Sequence, residues 1–155
     1  FKRIHVNTKS GDIDVSRIDA DSIYLHSTSG DIDGALISGD VLVRSTSGDI
    51  DLRVSGNNGE VKVSSTSGDV DLRVQACRTI DISSTSGDID IGLSDRFEVC
   101  RVNSVSGDID IDLKNLDGAE VHMRSVTGDC VNHRSSVNGY NVIEARTISG
   151  DITIR

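Results

Sequence analysis

Proline and tryptophan are absent from this 155-residue chain, and only two Phe, two Tyr and one Met are present. A core without large aromatics has to be filled by aliphatic side chains, and the β-branched Val and Ile available here suit a pleated strand better than a helix. No run of 18 apolar residues occurs, nor a basic-then-apolar leader, so this stretch is expected to hold neither a transmembrane helix nor a signal peptide. Cationic side chains are the scarcer sign. Sixteen Lys and Arg stand against 25 Asp and Glu, a formal net charge of -9 with pI near 4.7. That balance disfavours nucleic acid and anionic membrane surfaces as partners and favours cationic ones. Three cysteines, Cys77, Cys100 and Cys130, are too few for a disulfide framework. The length suits one domain spanning residues 1–155.

What the chain does have is a repeat. Ser-Gly-Asp, once as Thr-Gly-Asp, recurs with its acid at Asp12, Asp31, Asp49, Asp69, Asp88, Asp108, Asp129 and Asp151, at spacings of 19, 18, 20, 19, 20, 21 and 22 residues. Such regularity marks a repeat architecture. Glycine opens a backbone conformation closed to other residues, and the flanking Ser and Asp can bond nearby backbone groups, so the tripeptide reads as a turn. An additional Gly39-Asp40 falls off the period and is expected to mark a turn between coils.

Alignment on the repeating Asp turns the chain into columns. Eight residues before it stand Ile4, Ile23, Val41, Val61, Ile80, Cys100, Val121 and Ile143, and six before it stand Val6, Leu25, Val43, Val63, Ile82, Val102, Met123 and Ala145. One residue after it stand Ile13, Ile32, Ile50, Val70, Ile89, Ile109, Cys130 and Ile152; three after it, Val15, Gly34, Leu52, Leu72, Ile91, Ile111, Asn132 and Ile154. Mixed and polar residues alternate with them, so each coil carries two strands with one buried face. A repeated antiparallel hairpin gives no reason for equal spacing and puts the hydroxyl column from Thr8 and Ser27 to Thr147 in mid-core. A parallel solenoid explains both, since like residues then stack about 4.8 Å apart. The expected fold is therefore all-β, a right-handed parallel β-helix of about eight coils of roughly 20 residues, with two main strands per coil. Cys100 and Cys130 occupy inward columns and are expected to be buried, whereas Cys77 lies between coils, where exposure is expected.

The octapeptides Ser45-Thr46-Ser47-Gly48-Asp49-Ile50-Asp51-Leu52 and Ser84-Thr85-Ser86-Gly87-Asp88-Ile89-Asp90-Ile91 resemble an adhesin-like β-strand repeat family, a bacterial domain of unknown function. The resemblance covers the whole chain. It implies a β-solenoid at the cell envelope or outside the cell, with no catalytic residues to carry over. The last two repeats, Asp129-Cys130-Val131 and Asp151-Ile152-Thr153, depart from the pattern by losing the second Asp.

The most chemical-looking feature is Asp-x-Asp, repeated through six coils. Residues i and i+2 share a strand face, so the carboxylates form two acidic columns. Stacked carboxylates about 5 Å apart repel by about 1 kcal/mol per pair at the dielectric of water, and Ca²⁺ would relieve that repulsion. Asp49, Asp51, Asp69, Asp71, Asp88 and Asp90, in the most regular coils, are the candidate metal ligands. The competing expectation is that the first Asp serves its turn while the second is solvated, with Arg53 and Arg73 as partners. Paired carboxylates can also hydrolyse glycosidic bonds, but a catalytic pair should differ from its neighbours and none here does. The Thr28, Thr46, Thr66 and Thr85 column, which could suggest ice binding, covers only half the coils.

The chain therefore reads as a non-enzymatic structural or adhesin-like interaction module with no cofactor, a rod presenting a surface to a protein or cell-surface partner. Ca²⁺ binding is the alternative and a glycan-active enzyme the third reading. The repeat begins at Ile4 and Val6 without a polar cap, and Asp151–Arg155 is expected to form the last, exposed edge, so end-to-end self-association is also expected.

Overall fold

The computed structural model describes residues 2–55, 59–114, 116, 118–136 and 141–155. Every paired strand runs parallel to its neighbour, and no helix occurs among the described residues. The strands are β1 (Arg3–Ser10), β2 (Ile13–Ser29), β3 (Ile32–Ser47), β4 (Ile50–Val54), β5 (Glu60–Ser67), β6 (Val70–Val74), β7 (Thr79–Ser86) and β8 (Ile89–Leu93). They continue as β9 (Val99–Ser106), β10 (Ile109–Leu113), β11 (Gly118–Thr127), β12 (Cys130–Asn132), β13 (Ser135–Ser136), β14 (Val142–Ser149) and β15 (Ile152–Ile154). The result is a parallel β-solenoid of about seven turns, with eight Gly-Asp corners separated by coil-to-coil steps in register: Ile50 lies beside Val70, Asp51 beside Asp71 and Leu52 beside Leu72.

The corner explains the invariance of its glycine within this chain. Gly68 has φ of +122°, and a Cβ built on it would lie 2.3 Å from the Gly48 carbonyl oxygen in the adjacent coil. Neither the conformation nor the space admits a side chain. The inward columns bury as expected in the central coils, where Leu52, Leu72, Ile80, Ile82 and Ile91 are fully enclosed. Each such side chain contributes about 1.5–3 kcal/mol by leaving water. The wall after the corner holds a further inward column, Val54, Val74, Leu93 and Leu113, and the connections beyond it bury Cys77 and Phe97. Cys77 is thus in the core, contrary to expectation. Its Sγ approaches the carbonyls of Gly59 at 2.9 Å and Thr79 at 3.2 Å, which hold the thiol in the wall. Gly39-Asp40 lies inside β3 rather than in a break between strands, because pairing continues through it from Asp40 to Ser22.

The coils do not stack in chain order. β14 pairs on one side with β9 and on the other with β11, while β15 lies between β10 and β12. The segment from Val142 to Ile154 therefore inserts between the coils that carry Asp108 and Asp129. This corrects the expected exposed C-terminal edge: Thr153 sits between Asp110 and Val131, in the interior of the ladder. Composition gives the reason. Ile143, Ala145, Ile152 and Ile154 are fully buried in the inserted coil, whereas the displaced coil carries Asn132 and Cys130 in the same columns. Placing the more polar coil outermost spares Asn132 from full burial, which would cost several kcal/mol without a partner. It also leaves Cys130 exposed, against the expectation that it is buried, because among the described residues no strand pairs with the outer side of β12.

Candidate functional site: corner ladders, coil ends and the faces between

The Gly turn at each corner presents its Asp backbone N–H and carboxylate along the rod. Asp31 N–H donates to Asp12 Oδ1 at 3.0 Å, Asp49 to Asp31 at 2.9 Å, Asp69 to Asp49 at 2.9 Å and Asp88 to Asp69 at 2.9 Å. The chain of bonds continues through Asp108 to Asp88 at 2.9 Å, Asp151 to Asp108 at 2.8 Å and Asp129 to Asp151 at 2.8 Å. The first Asp thus serves the neighbouring coil rather than its own turn. Such charge-assisted bonds are stronger than neutral ones. A second ladder runs beside it: Ser29 Oγ donates to the Lys9 carbonyl, Ser47 to Thr28, Ser67 to Thr46, Ser86 to Thr66 and Thr127 to Ile148, at 3.2–3.4 Å. The more deeply set hydroxyls of Ser45 and Ser65 donate to the carbonyls of Gly48 and Gly68 in their own turns.

Both ladders have a direction. Every carboxylate accepts from the coil on one side, so the Asp12 N–H at one end and the Asp129 carboxylate at the other have no partner among the described residues. The Ser10 hydroxyl is the equivalent spare donor, and the Val126 carbonyl occupies the equivalent acceptor position. At these ends the inward residues Ile4 and Val6, and Val121 and Met123, are only partly covered.

The six acidic candidates divide by column. Asp49, Asp69 and Asp88 each commit one oxygen to the next coil's N–H. Asp51, Asp71 and Asp90 form the second column in register. Arg73 Nη1 stands 2.7 Å from Asp71 and 3.4 Å from Asp90, so it bridges the last two. Gly92 makes room for it, since a Cβ there would meet Arg73 Cδ at 2.8 Å. Desolvation raises the Asp71 pKa against the opposing pull of Arg73. Asp33 has no such cation among the described residues; desolvation and then the carboxylates of Asp51, Asp31, Asp14 and Asp12 raise its pKa. Among the described residues no group of three or more His, Cys, Asp or Glu converges as a metal site would require. Arg155, which sequence reasoning left out, closes on Asp110 from the inserted coil, with Nε 3.1 Å from Oδ1.

Two further features were missed. Arg53, Arg73 and Lys114 line a cleft of about 430 Å³ with Val54, Val74 and Ser94. On the outer face before the corner, Val105, Ile148 and Val126 replace the Lys9, Thr28, Thr46, Thr66 and Thr85 found in the same column of the other coils, and all three are exposed. The signal was present in the sequence, in the same column as Thr28, Thr46, Thr66 and Thr85, where the three aliphatics break the run of polar residues.

Parallel in-register stacking and the repeated Gly-Asp corner define a repeat protein of the β-solenoid class. The chain matches the family described as Toastrack DUF4097 over residues 1–155, and it belongs to that family, a repeat-type domain of unknown function. No curated protein and no solved structure matches it.

Proposed function

We propose that this domain is a non-enzymatic, adhesin-like interaction module of the cell envelope or cell exterior, a rod that assembles end to end with copies of itself. The observation that carries the reading is the polarity of the corner ladders: one end offers the Asp12 N–H and Ser10 hydroxyl, the other the Asp129 carboxylate. A second copy placed head to tail would continue the same bonds and cover Val121 and Met123 with Ile4 and Val6. Such a contact is heterologous and extends as a filament. Light scattering over a wide concentration range tests it. The mean mass should grow with concentration beyond two chains, and Met123→Glu, which sets a charge on one end face, should abolish the growth. A single-chain mass at every concentration, with the natural sequence, defeats the proposal.

Divalent-cation binding along the Asp columns is the second reading, supported by the uncompensated Asp33 environment. It predicts a rise in melting temperature with millimolar Ca²⁺; an unchanged melting temperature removes it.

A further inference from the structure

The exposed apolar column is not scattered along the rod. Val105, Ile148 and Val126 are 46%, 54% and 66% exposed, and the registers Ser106–Ser149 and Thr127–Ser149 put them on three consecutive coils with Ile148 in the middle. At about 4.8 Å per step they form an aliphatic stripe roughly 10 Å long. Isolated exposed aliphatics need no explanation, whereas a contiguous patch on an otherwise hydroxyl-bearing face marks a contact surface.

The charges beside the stripe identify what covers it. Two residues earlier on each strand, on the same outward face, stand Asn103, Arg146 and Arg124, and the two arginines make no ion pair among the described residues. On the far side, past the small Ser106, Ser149 and Thr127, stand the exposed Asp108, Asp151 and Asp129. Across the corner, in the coils of Ile148 and Val126, the order is therefore cation, aliphatic, carboxylate, in a chain whose net charge is -9.

That order is self-complementary under one symmetry. A two-fold axis parallel to the rod, lying in the contact plane, reverses the lateral order and keeps the level of each coil. It would set stripe on stripe, Arg146 opposite the partner's Asp151, and Arg124 opposite the partner's Asp129. A two-fold axis perpendicular to the rod in that plane would oppose arginine to arginine. We infer that this face pairs two copies of the chain side by side and parallel, in an isologous dimer centred on Ile148. The dimer is closed and lateral, so it does not extend as a filament, and it shares with the end-to-end contact only the Asp129 carboxylate.

Sedimentation of the full chain tests the inference, with Met123→Glu as background to suppress growth at the ends. A dimer is expected. Ile148→Glu, at an exposed position that leaves the melting temperature unchanged, should turn it into a monomer. Arg124→Glu should weaken the dimer about tenfold, and Arg124→Glu with Asp129→Arg should restore it, because the Asp129 carboxylate holds no neighbouring coil; this charge-swap rescue is the expected result of paired opposite charges. A monomer at all concentrations, a dimer indifferent to Ile148→Glu, or no rescue by the charge swap would each overturn it.

Discussion

Replacing Gly87 and Gly11 separately by Ala isolates the contribution of stacking from that of backbone strain. The two glycines have nearly the same conformation, φ of +122° and +129°, so an alanine is strained equally at both. That strain costs about 1–3 kcal/mol. Their surroundings differ. A Cβ on Gly87 would stand 2.3 Å from the Gly68 carbonyl oxygen and 2.7 Å from its carbon, whereas the nearest atom to one on Gly11 is Thr8 Oγ1 at 3.8 Å. Ordinary contact begins near 3.4 Å, so the two coils at Gly87 have to part by about 1 Å. The bonds that cross that gap are Asp88 N–H to Asp69 Oδ1 at 2.9 Å, Val70 N–H to the Asp88 carbonyl at 2.9 Å and Ser86 Oγ to the Thr66 carbonyl at 3.4 Å. Losing three bonds at about 1 kcal/mol each makes Gly87→Ala about 3 kcal/mol worse than Gly11→Ala. Urea unfolding followed by far-ultraviolet circular dichroism reads the difference as a shift in midpoint, valid while the slope is unchanged and the coils unfold together. Equal losses at the two positions would refute the reasoning, because they would mean that no backbone lies against the Gly87 corner.

Thiol labelling of the native protein should be fast at the exposed Cys130 and slow at the buried Cys77 and Cys100. Burial pushes the Cys100 thiol up to about 12 and raises that of Cys77 as well. In the unfolded chain these thiols ionise near pH 8.5. Their neutral forms therefore support the fold fully below about pH 8.5, and that support is lost as pH rises toward 12. Unfolding measured across this range should show the loss, and Cys100→Val should make it shallower; a Cys100→Val slope identical to the parent would contradict the assignment. Asp33 has a raised pKa, so its charged form opposes folding and stability should rise as the pH falls into its titration range. Asp33→Asn should accordingly raise the melting temperature at pH 7 and remove that part of the acid-side gain, and a lower melting temperature at pH 7 would count against like-charge repulsion there. Arg73→Ala should destabilise by no more than about 1 kcal/mol, since its pairs with Asp71 and Asp90 are partly exposed.

The repeat made the solenoid legible because one physical rule, like over like, acts at every corner. Ile50, Val70 and Ile89 announce a shared column by chemistry alone, and the structure sets them in register. The coil order was not legible from spacing, since β14 fits its neighbours in either sequence of stacking. The clue lay in quality rather than period: Asn132 and Cys130 are poor core residues, which suits their coil to the open end. The burial of Cys77, expected to be exposed, and of Phe97 was not legible because the connections beyond β6 and β8 present no alternation to read. The role of the first Asp was half legible. Its hydrogen bond was expected within a turn, whereas the short step between coils lets it reach the next Asp N–H instead. The apolar stripe needed three dimensions only to be joined to its flanking charges.

The end faces, the lateral stripe and the burial of the last strand all depend on the inserted coil, so its position is the measurement that matters most. With Cys130 replaced by Ser, two cysteine pairs can be compared: Asn103→Cys with Arg146→Cys, and Asn103→Cys with Arg124→Cys. Asn103 and Arg146 are directly paired, and Arg146 is in turn paired with Arg124, so the first pair lies one step apart and the second two. One step of about 4.8 Å suits a disulfide, whereas two steps, about 10 Å, exceed the span a disulfide can bridge. Mild oxidation of the monomer should therefore cross-link 103 to 146 and leave 103 and 124 free. Cross-linking of 103 to 124 without 103 to 146 would show coils stacked in chain order and contradict the account.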